Sequence, residues 1–169
     1  MKDPSILFQK AKKSAFHLWL LNRIMWRIIP FNKPHRFLIE KVEEKGLVMK
    51  LPYIRKNLNH IKGLHACALA TLTEYVTGLT LLTSLEFRKY RIIMKKIKME
   101  YHYQGKTDAH ARFGVSDKWI EERVSNPVAQ HGAVEVDCLV DIFDADNNKL
   151  CTGNVCWQIK DWEKVKTKV

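Results

Sequence analysis

None of the four cysteines in this 169-residue chain (Cys67, Cys138, Cys151 and Cys156) belongs to a CxxC pair, and no histidine stands at a zinc-like spacing from two of them. That lack argues against a metal site or a disulfide framework. It favours small apolar side chains buried among apolar neighbours in a reducing, cytoplasmic compartment. Also missing are a Gly/Ser-rich linker, a low-complexity tract and an internal repeat, so a solenoid or propeller is not expected. The basic residues come without a helix-turn-helix, a zinc-finger spacing or an RNP-type aromatic motif, and nucleic acid is not an expected partner. A long clean apolar run is lacking at the N-terminus too. Residues 15–31, AFHLWLLNRIMWRIIPF, are broken by Asn22, Arg23 and Arg27. The stretch is too short to span a bilayer and lacks the small-residue cleavage site of a signal peptide.

What is present suits one globular domain: 46% apolar and 28% charged residues, with length enough to bury a core. The formal net charge of +11 attracts polyanions, whether nucleic acid, anionic lipid or a ligand bearing several phosphates. Within residues 15–31, Phe16, Leu20, Ile24 and Ile28 recur every four positions, as on one face of an amphipathic helix, which Pro30 and Pro34 then end. Such a helix packs on the body of the protein or on a partner subunit. Peripheral membrane contact through its Trp and Arg residues is the alternative. Residues 1–34 thus form an N-terminal helical segment before a domain at 35–169.

From Phe37 the pattern turns to strand. Residues 37–44 and 46–54 read as two strands with a turn near Lys45-Gly46. A polar loop over 55–60 leads to Gly63. A helix-forming stretch rich in Ala and Leu follows from His65 to about Leu82, with Glu74 its one charge. A helix apolar on nearly every side is a buried helix. Strict alternation then predicts strands over 96–103, 109–115, 134–142 and about 150–160, with a turn at 144–148. Residues 118–126, before Pro127, hold a short helix or an irregular connection. The order is two N-terminal helices, two strands, one long buried helix and four strands. It predicts an α+β protein: a curved antiparallel sheet of about six strands wrapped around a long central helix.

This layout is that of the hotdog fold. The segment Asn59-His60-Ile61-Lys62-Gly63-Leu64-His65-Ala66-Cys67, followed by Glu74, resembles the signature of the PaaI-like acyl-CoA thioesterases. In that family an Asn precedes a His-Gly-Gly turn, the turn opens the central helix, and an acid follows two to three turns in. Asn59 stands six positions before His65 and Glu74 nine after it, as the family has them. More closely, the chain resembles a hotdog subgroup whose members keep the His and use Glu on the helix.

The resemblance implies hydrolysis of an acyl-CoA or acyl-carrier-protein thioester without a cofactor or metal, in a homodimer or dimer of dimers with the site between subunits. Thioester hydrolysis builds negative charge on the carbonyl oxygen, which N–H groups at a helix N-terminus stabilise. Ala66 N–H is the candidate oxyanion donor. Glu74 is the candidate carboxylate that activates water or attacks directly, and burial would raise its pKa. Asn59 would orient water or thioester, and His65 would hydrogen-bond the loop or the substrate. Gly63, Arg88, Lys96 and Lys98 are candidates for substrate binding, the cations for the phosphates of coenzyme A.

The family's Gly-Gly is Ala66-Cys67 here, which narrows the site or changes its acyl preference. Other readings stand beside these roles: a non-catalytic acyl-CoA binding protein on the same fold, Glu74 as a structural acid paired with an Arg, and Asn59 as a turn residue. Cys67 has no assigned base and is explained by packing.

Overall fold

The computed structural model describes residues 4–85 and 89–165. Helices α1 (Pro4–Ala11), α2 (Ala15–Ile28) and the single turn α3 (Asn32–His35) precede strands β1 (Leu38–Val42) and β2 (Gly46–Leu51). The long α4 (Ala66–Ser84) leads to β3 (Tyr90–Tyr101) and β4 (Ala109–Gly114). Two short helices, α5 (Asp117–Ile120) and α6 (Asn126–His131), are joined by a wide π-type turn, and β5 (Ala133–Asp144), β6 (Lys149–Asp161) and a single 3-10 turn at Trp162–Lys164 follow. All neighbouring strands are antiparallel, in the order β1-β2-β4-β5-β6-β3. The sheet curves so that β2, β3, β4, β5 and β6 all touch α4. This is the expected hotdog fold.

The sheet explains why α4 is apolar all round. Leu69, Leu72, Val76, Leu79 and Leu81 are buried against it, and Thr73, Thr77 and Thr80 are buried as well. Thr73 and Thr77 satisfy their hydroxyls locally, donating to the carbonyls of Leu69 and Thr73, four residues back, and Thr80 donates across to Phe113 O on β4. Two glycines set the close approach of helix to sheet. A side chain at Gly78 would stand 2.6 Å from the Trp157 ring, and one at Gly153 would meet Thr73. Trp157 is pinned there by a 3.1 Å hydrogen bond from Nε1 to Thr77 Oγ1.

The N-terminal helices share the main core, to which Phe8, Ala11, Leu21 and Met25 belong. Asn22 straps α2 to the outer edge of the sheet. Its Nδ2 donates to Ile39 O (2.9 Å), and its Oδ1 accepts from Ile39 N (2.7 Å), so a buried amide completes the free edge of β1. Trp26 Nε1 donates to Phe37 O at 2.7 Å.

Several expectations need correction. Among the described residues, three helical pieces precede β1 rather than two. The chain leaves α2 at Ile28, before Pro30, and Pro34 lies inside α3, where the first turn of a helix needs no N–H from it. The face of α2 turned to the core is Leu21, Asn22 and Met25, while Phe16, Ile24 and Ile28 point to solvent. The polar Asn22 hid the inward face, and the apolar stripe is the outward one. β3 begins at Tyr90, six residues before its alternation becomes legible, because a bulge between Met94 and Lys96 shifts the parity. Residues 117–131 are helical almost throughout, and Cys67 is exposed rather than buried.

Candidate active site

The N-terminus of α4 is built by the loop before it. Asn59 Oδ1 accepts from the N–H groups of Ile61 (3.1 Å) and Gly63 (2.9 Å), Asn59 N donates to Gly63 O, and a bridge joins Leu58 to Leu64. Lys62 takes the left-handed conformation that closes this turn, with φ of 59°. Asn59 therefore spends its oxygen on the loop and keeps only its amide N–H groups for other partners. Gly63 is buried beneath the Gln104 side chain, and a Cβ there would lie 2.6 Å from it.

His65 is the N-cap of α4. Its Nδ1 accepts from Cys67 N at 3.1 Å, which fixes the neutral ring as the Nε2–H tautomer. The ring itself is exposed and lines a cavity of about 260 Å³ together with Phe31, His35, Phe37, Lys56, Cys67, Ala68 and Thr71. Ala66 N–H has no acceptor among the described residues, while the N–H groups of Ala68 and Leu69 bond to His65 O. The expected oxyanion donor is thus a free N–H in the first turn of a 19-residue helix. Tyr101 OH donates to Ala66 O at 2.9 Å, holding the far side of the same peptide group against β3.

His35, in the wall of this cavity, and its hydrogen-bond partner Asn57 were not found from sequence. Asn57 is fully buried, its Nδ2 donating to His35 O (2.9 Å) and Pro52 O (2.8 Å) and its backbone carbonyl accepting from His65 N (2.8 Å). With Nδ2 committed to two carbonyls, the Asn57 oxygen must accept from His35 Nδ1, 2.9 Å away. The neutral His35 ring is then the Nδ1–H tautomer, with its Nε2 lone pair free. Two imidazoles of opposite tautomer line one cavity, His35 presenting an acceptor and His65 a donor. Neither Asn57 nor His35 carries a local signal, because each acquires its role through partners about twenty residues distant.

Glu74 continues the partly exposed stripe of α4 that begins with Cys67 and Thr71. It is half-buried, and burial pushes its carboxyl above the ordinary carboxylate range. Among the described residues no ion pair or hydrogen bond reaches the carboxylate, so a pairing with Arg is not found there. The cavity does not extend to Glu74, which stands eight residues beyond Ala66, about 12 Å along the helix axis.

The basic candidates fall differently. Arg88 lies outside the described residues. Lys96 and Lys98 pair across from Cys156 and Asn154, on the sheet face turned away from α4, and Lys98 is bound to Glu100 at 2.9 Å. The cation in the cavity wall is Lys56, a residue the sequence did not single out.

A family model described as a domain of unknown function, DUF4442, matches residues 18–159. No curated protein matches the chain. Solved structures share its fold. A protein of Pseudomonas aeruginosa described as a probable thioesterase superposes with a TM-score of 0.76 at 18% identity, over 84% of this chain and 94% of its own. A thioesterase of Haemophilus influenzae gives 0.68 at 14% identity, over 93% and 99%. A thioesterase enzyme of Staphylococcus aureus gives 0.60 at 13%, over 78% and 98%. At these identities the likeness is one of fold.

Proposed function

We propose that this chain, which belongs to the DUF4442 family and folds as a hotdog, hydrolyses acyl thioesters of coenzyme A or of an acyl carrier protein. The observation that carries the reading is the start of α4. An Ala66 N–H and a desolvated Glu74, both without a partner among the described residues, lie on one helix beside a cavity walled by Phe31 and Phe37. An apolar wall suits an acyl chain, a free N–H at a positive helix end suits a developing oxyanion, and a carboxylate of raised pKa suits proton abstraction near neutral pH.

In this mechanism the thioester carbonyl oxygen rests on Ala66 N–H. Glu74 takes a proton from water as the water oxygen bonds to the carbonyl carbon. The tetrahedral intermediate collapses, the C–S bond breaks, and the proton held by Glu74 passes to the leaving thiolate. His65 Nε2–H donates to the substrate, and the Asn59 amide helps hold it. The helical rise supports a site shared between two chains: about 12 Å separates Ala66 from Glu74, more than one glutamate side chain spans. The carboxylate then comes from one subunit and the oxyanion donor from its dimer partner. β3, at the edge of the sheet, is the strand such pairing would join. Lys56 at the cavity meets the phosphates of coenzyme A.

The test is thiol release across a panel of acyl-CoA chain lengths. Glu74→Gln should lower kcat by about a hundredfold or more while leaving substrate affinity nearly unchanged. Wild-type turnover by folded Glu74→Gln protein would remove Glu74 from the mechanism. Acyl-CoA binding without thiol release by the wild type would assign the chain instead as an acyl-ligand carrier.

A further inference from the structure

Helix α2 has two apolar faces, and only one is covered. Leu21 and Met25 point into the core, whereas Phe16 is 63% exposed, Trp19 57% and Ile28 62%. Just past the helix, Phe31 is 63% exposed. Two exposed arginines, Arg23 and Arg27, lie within this outer face. The Arg23 guanidinium sits 6.0 Å from the Trp19 ring and 5.9 Å from the Trp26 ring, so its charge is braced by two indoles. A hollow of about 350 Å³ is lined by Arg23, Ile24, Trp26, Arg27 and Lys33. None of its three cations is in an ion pair among the described residues. Residues 4–39 contain Lys10, Lys12, Lys13, Arg23, Arg27, Lys33 and Arg36 but no Asp or Glu.

We infer that this face docks on the surface of an anionic phospholipid bilayer, with lipid phosphates in the Arg23–Arg27–Lys33 hollow and Phe16, Trp19 and Ile28 in the interfacial region. Each feature has a use there and no joint use elsewhere. Indole rings and aliphatic side chains partition into the headgroup boundary, and arginine stems lie along them while the guanidinium meets phosphate. A nucleic acid would reward the cations and leave the apolar stripe in water. A second copy packed on this face about a twofold axis would bring two cationic surfaces together, with no carboxylate in residues 4–39 to offset them. Phe31 is shared between this face and the wall of the cavity at His65, so a bilayer lying on α2 meets the mouth of the candidate site. The inference goes beyond the thioesterase reading and does not depend on it.

The experiment is flotation of the full chain with phosphatidylcholine vesicles, with and without phosphatidylglycerol. The wild type is expected to float with the mixed vesicles, to bind phosphatidylcholine alone far more weakly, and to dissociate as salt is raised. Arg23→Gln with Arg27→Gln should weaken binding about thirtyfold. Phe16→Ser with Ile28→Ser should abolish it even at low salt. Both variants should keep the wild-type circular dichroism and melting temperature, because the altered side chains are exposed, and this readout holds whether or not the chain turns over thioesters. Wild-type protein that stays at the bottom of the gradient overturns the inference. So does binding that survives loss of Phe16 and Ile28, which would mark a purely electrostatic polyanion site. A shift from dimer to monomer in the Phe16→Ser, Ile28→Ser variant would show that the face is a subunit contact, and also overturns it.

Discussion

Glu74 and Asn57 are opposite solutions to placing a polar side chain under a curved sheet. Asn57 is fully buried with every amide group bonded, so Asn57→Ala removes the acceptor of His35 Nδ1 and the side-chain donor to the His35 carbonyl, while Pro52 O keeps only its bond from Ile54 N. A loss of about 3 kcal/mol in denaturant unfolding is expected, larger than for a single exposed hydrogen bond. Glu74 is desolvated without a partner among the described residues. Its folded pKa lies above the value in the unfolded chain, so the native state binds the extra proton in the interval between the two. Stability from this group is present below the unfolded pKa, near 4.5, and is lost as pH rises through the folded value. Glu74→Gln should therefore melt higher than wild type at pH 7 and at the same temperature below that interval. A glutamate held by an arginine would give the reverse, destabilisation at neutral pH. Melting curves at several pH values separate the two, and a carboxylate kept at a stability cost is what a functional role requires.

Among the elements, α4 and the later strands were legible because burial imposes a period and the chain keeps it. Glu74 and His65 stood out for the same reason, as polar groups in or beside an apolar run. Legibility failed where one residue breaks the count or where the partner is distant in sequence. The Met94–Lys96 bulge hid half of β3, and Asn22, whose partner is the edge of β1, inverted the reading of α2. Lys56 and Asn57 lie in a single 3-10 turn (Arg55–Asn57) and His35 in the single turn α3, both too short for a period to mark them. The packing of α4 yields its own test. Gly78→Ala gains about 1 kcal/mol in helix propensity, yet its Cβ would stand 2.6 Å from a Trp157 ring that the bond to Thr77 prevents from sliding. Overpacking costs about 1–3 kcal/mol, so a net destabilisation of about 1 kcal/mol is expected in chemical unfolding.

At the scale of the whole molecule, a shared site can be tested by mixing subunits. Ala66 is the first residue of α4, where proline is tolerated, and its N–H serves no intrahelical bond, so Ala66→Pro removes the oxyanion donor and spares the helix. Each single variant should be nearly inactive. Refolded together with Glu74→Gln protein, random pairing should restore about one quarter of wild-type thiol release, from one intact site in each mixed dimer. No recovery on mixing would place both groups in one chain's site. The net charge of +11 predicts further that coenzyme A affinity falls as salt is raised, and titration at two ionic strengths reads this directly. The wrapping of α4 also imposes an order on birth. The helix ends at Ser84, and the last strand that covers it ends at Asp161, 161 − 84 = 77 residues later. At ordinary elongation rates, this 19-residue apolar segment waits about 4–15 s for its cover. During that wait it has the length and composition of a bilayer span, so a nascent chain halted after Ser84 should compete for the machinery that receives membrane helices.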